Sequence, residues 1–126
     1  MADYRKLLVW QRAHALALNI ERAARTIRSA HHVTFRNQLV RSAFSISANI
    51  VEGRTRQSQA EFARFLRIAL NSASELEYHL LAARDTGAMR VDNYAELNER
   101  VVEVARMLQG LITKVEADRS RDESSD

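Results

Sequence analysis

The chain has 126 residues, 46% of them hydrophobic, enough for one substantial core and no more than one domain. It has no proline, no cysteine and only three glycines, so disulfides and thiolate metal sites are excluded and an all-helical fold is favoured. The formal charge of +3 conceals an asymmetry: residues 1–70 hold 12 Lys and Arg against 4 Asp and Glu, whereas residues 71–126 hold 7 against 12. The N-terminal stretch has no apolar run of the signal-peptide kind, and no run approaches the roughly 18 residues of a spanning helix, so a cytoplasmic protein without a membrane partner is expected.

Four segments carry helical periodicity. Trp10, Ala13, Ala17, Ile20, Ala24 and Ile27 form one stripe from about residue 5 to 28. Leu39, Ala43, Ile46 and Ile50 form a second from about 34 to 53, with Thr34 as a weak cap. Ser58 and Glu61 make a capping box for a third helix from about 59 to 86, whose stripe is Phe62, Leu66, Ala69, Ala73, Leu76 and Leu80. Gly87 reads as its left-handed cap, and Asp92 or Asn93 opens a fourth helix from about 93 to 116, with Leu97, Val101, Val104, Leu108, Leu111 and Val115. Connections of about five residues are too short to cross a bundle, so the expectation is an antiparallel up-down-up-down four-helix bundle over residues 1–116. Residues 117–126 lack an apolar face and read as a disordered polar tail.

The second helix has more apolar surface than one core needs. Beside its main stripe lies another, Val40, Phe44 and Val51, about 100° round, so together they cover roughly 200° where about half would suffice. That excess predicts self-association through Val40, Phe44 and Val51. Its polar residues Asn49 and Glu52 read as structural, serving groups near the helix end, and Gly53 as a positive-φ residue that ends the helix.

Catalytic and metal signatures are missing. His14, His31, His32 and His79 share no ExxH spacing with a glutamate, and there is no Gly-rich phosphate loop, no HExxH and no nucleophile elbow. Neither an enzyme nor a bound cofactor is expected. Trp10 falls on the core stripe, whereas Tyr78 and Tyr94 lie off theirs and stay open as interface residues. The densest basic cluster is Arg54 and Arg56 with Arg64 and Arg67 one turn apart, and Arg41 lies earlier on helix two; guanidinium forks suit phosphates, which makes RNA or DNA the candidate ligand.

The stretch RSAFSISANIVEGRTRQSQAEFARFL resembles the family of four-helix proteins encoded by intervening sequences inside bacterial large-subunit ribosomal RNA genes. Arg41, Ser45, Ile46, Asn49, Ile50, Glu52, Gly53, Arg56, Glu61, Phe62, Phe65 and Leu66 match its motif, as do Val9, Trp10, Gln11 and Ala13 at the start. The likeness runs from about residue 7 to 112 and departs from the motif at Ser47, where a proline is usual, and at Asn71, where a glycine is. Loss of that proline is expected to straighten helix two. The resemblance implies a homopentamer. It also implies kinship with nucleic-acid-binding accessory proteins of diversity-generating retroelements, which makes a protein scaffold serving a reverse transcriptase the alternative to nucleic-acid binding.

Overall fold

The structure, a computed structural model, describes residues 3–124. Four helices carry the fold: α1 (Leu8–Arg25), α2 (Val33–Arg54), α3 (Gln59–Asp85) and α4 (Val91–Ser124), with short 3-10 turns at Tyr4–Lys6 and Ala30–His32 and no strand among the described residues. Among the described residues no helix is long and apolar enough to cross a membrane. The largest contact is α2 on α3, followed by α3 on α4, α1 on α2 and α1 on α4, so the helices close a ring around one core.

The apolar stripes read from the sequence meet in that core. Leu16, Ile20, Leu39, Ile46, Ile50, Leu66, Leu76, Leu80 and Leu108 are essentially inaccessible, each contributing about 1.5–3 kcal/mol by leaving water. Alanines at 13, 17, 43, 63, 69, 73 and 83 are fully buried, which lets neighbouring helices approach closely. Two positions differ from the periodic reading. Ile112 is buried where Leu111 is only partly so, and Trp10 is half-buried, with Val9 and Leu16 completing the α1 stripe instead. Tyr94 packs partly on the core beneath Arg84, whose Cζ lies 4.6 Å from the ring, while Tyr78 is 64% exposed.

The helix ends follow local chemistry. Ser58 Oγ accepts from the Glu61 amide at 3.1 Å and starts α3, while the Glu61 carboxylate turns outward to Arg64 instead of closing the capping box. Gly87 takes φ +80 just beyond α3, as a left-handed cap requires. Thr34 does not cap α2: the Ser29 hydroxyl starts a 3-10 turn by accepting from His31 N, and α2 follows directly. The helix is continuous through Ser47, whose hydroxyl donates to the Phe44 carbonyl at 3.2 Å.

Two further expectations are corrected. Gly53 has no positive φ and lies inside α2; its role is steric, because a Cβ there would meet Phe65 Cβ at 2.9 Å and Phe62 Cδ1 at 3.0 Å. The polar tail is helical as far as Ser124, with Arg119 bridging Glu116 (3.4 Å) and Glu123 (3.1 Å) and Arg121 pairing with Asp118. Spacings of three and four residues let oppositely charged side chains support a helix without an apolar face. The expectation for residues 125 and 126 lies outside the described residues.

Polar groups on α2 fasten it to α3. Ser45 Oγ and Ser72 Oγ are 2.8 Å apart across the two helices, while within α2 Asn49 Nδ2 donates to the Ser45 carbonyl at 2.8 Å. Glu52 is exposed and pairs with Arg56 at 3.2 Å. As α2 partners advance through 41, 45 and 53, those on α3 recede through 75, 72 and 65.

Candidate nucleic-acid interface

Close approach at Gly53 brings the end of α2 against the first turns of α3, and the four-residue connection 55–58 holds the two together. Three of the predicted arginines converge there on two phenylalanines. Arg54 is half-buried with its Cζ 5.4 Å from the Phe62 ring centroid. Its Nε is buried and has no hydrogen-bond partner, and among the described residues its guanidinium pairs with no carboxylate. Arg56 and Arg64 place their Cζ atoms 4.9 and 4.6 Å from the Phe65 centroid, within cation–π range. Each also holds a glutamate of its own helix or turn: Arg56 donates to Glu52 and Arg64 to Glu61, both at 3.2 Å. Beside them a shallow hollow of about 220 Å³ is lined by Gly53, Arg54, Arg56, Gln57, Ser58, Gln59 and Phe62.

The other two predicted arginines stand apart. Arg67 is one turn beyond Arg64 and donates across the α3–α4 seam to Glu116 at 2.8 Å. Arg41 lies 13 residues before Arg54 on α2, about 20 Å at 1.5 Å per residue, and contacts Glu75 at 2.5 Å and Gln38 at 3.0 Å. With Arg12 and Glu103 at 3.7 Å, these pairs fold the acidic second half of the chain back onto the basic first half. The sequence asymmetry therefore does not survive as two separate fields.

Phe62 and Phe65 are the members of this corner that a count of charges misses. The available signal is the FxxF spacing in the opening turns of α3, beginning six residues past Arg56, the last arginine of the connection. A second aromatic group is equally unforeseen: the Trp10 ring stacks on His14 (4.9 Å, 7° between planes), with Tyr4 edge-on to Trp10 at 5.1 Å. Of the remaining histidines, His79 Nε2 lies 3.4 Å from Glu75, and His32 packs edge-on to Phe35. No group of three or more His, Asp or Glu side chains among the described residues is arranged to hold a metal ion.

Val40, Phe44 and Val51 are all half-buried within the single chain. Phe44 packs partly on the core, and Val40 borders a groove between α1 and α2 together with Ala24, Arg25 and Arg36.

This architecture is that of an all-helical protein built from four mutually packed helices, with an arginine and phenylalanine corner where α2 passes into α3. The model of the 23S rRNA-intervening sequence protein family matches residues 5–110, and the chain belongs to that family. A crystal structure of a protein of unknown function from the S23 ribosomal protein family of Bacteroides thetaiotaomicron is similar, with a TM-score of 0.76 and 28% identity over 83% of this chain and 98% of that one. No curated protein matches.

Proposed function

We propose that the protein is a non-enzymatic, homo-oligomeric binding module of the cytoplasm that associates with nucleic acid through the α2–α3 corner. The observation that carries this reading is Arg54, a half-buried guanidinium with an unpartnered Nε and no carboxylate beside it, flanked by Arg56 and Arg64. A cation that the protein itself leaves unmatched, next to a polar hollow, suits a phosphate oxygen. Repetition of the corner in an oligomer would add avidity.

Fluorescence anisotropy of labelled RNA at several salt concentrations tests this. Affinity is expected to fall with salt at a log–log slope of about −0.7 for each phosphate contacted, and Arg54→Glu/Arg56→Glu is expected to weaken binding to every sequence alike. Identical binding by wild type and the double variant would remove the corner from the interface. The second reading, a scaffold for a protein partner, draws on the half-exposed apolar residues Val40 and Val51, and gains if no nucleic acid binds.

A further inference from the structure

We infer that the corner takes single-stranded rather than duplex nucleic acid, holding it chiefly by stacking bases on the guanidinium groups of Arg56 and Arg64. The inference rests on the nucleic-acid reading above and specifies its ligand. Three arginines stand at the corner against two glutamates, Glu52 and Glu61, which leaves a surplus of a single positive charge. That surplus belongs to Arg54, whose guanidinium is half-buried. Phosphate attraction therefore supplies only part of the binding here, and a duplex, whose base faces are already stacked inside, can add no base stacking to it.

The planar groups are better placed. Both the Arg56 and Arg64 guanidiniums lie within 5 Å of the Phe65 ring centroid, yet their side chains remain 46% and 56% exposed. A guanidinium anchored from one side by an aromatic ring and by a glutamate loses little freedom when a base settles on it. Only an unpaired strand can offer base faces for that contact, and stacking tolerates any sequence.

The test compares a labelled single-stranded RNA of about 12 nucleotides with its duplex, a length that matches known single-strand sites. Wild-type protein is expected to prefer the single strand by about tenfold, within the range that one stacked base supplies. Arg56→Lys/Arg64→Lys keeps both charges and removes both planes, so it should abolish the preference without changing the salt slope, with circular dichroism confirming intact helices. Phe65→Leu, which retains the Cβ that meets Gly53, should act in the same direction. Equal affinity for the two forms, or full preference in the lysine variant, would overturn the stacking inference alone. Failure of wild type to bind either form at low salt would overturn the nucleic-acid reading, and this inference with it.

Discussion

A Cβ built on Gly53 would stand 2.9 Å from the Cβ of Phe65, closer than real side chains approach, so the absence of a side chain at Gly53 sets how tightly α2 and α3 close at the corner. The same atom would lie 3.3 Å from the Phe62 carbonyl oxygen, so relief requires movement of backbone rather than of a flexible side-chain tip. Alanine gains about 1 kcal/mol over glycine in a helix interior, but overpacking costs about 1–3 kcal/mol. Gly53→Ala is therefore expected to lose up to about 2 kcal/mol of stability and to shift Arg54 relative to Phe62. Urea unfolding measures the first effect. A Gly53→Ala protein more stable than wild type would mean that the two helices part without cost.

Gly110 makes the opposite case. It lies in α4, is exposed, and a Cβ there meets nothing within 4 Å. Only the backbone entropy remains, so Gly110→Ala should stabilise the protein by about 0.5–1 kcal/mol in the same urea experiment. A loss of stability would show that some contact beyond the single chain uses that space.

These two glycines also show where the sequence stops being readable. The apolar stripes of α2 and α3 are legible because helical periodicity is a property of consecutive residues; Leu39, Ala43, Ile46 and Ile50 fall in the core as their spacing requires. Gly53 is not, because a glycine at the end of a helical pattern serves either as a positive-φ stop or as a place of close approach, and the deciding neighbour, Phe65, belongs to another helix. The arginines follow the same rule. Partners of Arg41 and Arg67 lie 34 and 49 residues away in the chain, so no local count of charge reveals that they are neutralised, nor that Arg54 is not. The helix beyond Ala117 fails to register for a different reason: its support comes from exposed charge pairs, which carry no apolar signal.

Acid titration should report on the opening of α4. Asp92 accepts hydrogen bonds from Arg90 Nε at 3.1 Å and from the Asn93 amide at 2.9 Å. The bond from Arg90, followed by that backbone amide, favours the carboxylate and lowers its pKa below the ordinary 3.8. A carboxyl lowered on folding stabilises the folded state above its unfolded pKa, and this contribution is lost as pH falls through the folded value. The melting temperature of wild type should exceed that of Asp92→Asn near neutral pH, and the gap should close in strong acid, once pH has fallen through the lowered pKa of Asp92. Thermal melts followed by circular dichroism at both pH values check it; a gap that widens in acid would contradict the assignment.

Assembly has its own test on α2. Leu39, Ala43, Ile46 and Ile50 are wholly buried by the chain itself, and α1 and α3 cover much of the adjoining arc, yet Val40, Phe44 and Val51 keep part of their apolar surface in water. If a second copy covers this stripe, a carboxylate placed in it is buried without a partner, at a cost of about 3 kcal/mol or more. That amounts to roughly a hundredfold in the association constant. Phe44 is an ambiguous site for the change because it also packs on the core, so a charge there damages fold and contact together. Val51→Glu and Val40→Glu are cleaner. Light scattering should find an oligomer for wild type and a smaller species for either variant, with helical content by circular dichroism retained. A wild-type monomer at micromolar concentration would leave the stripe as the ordinary margin of a bundle core and remove self-association from the proposal.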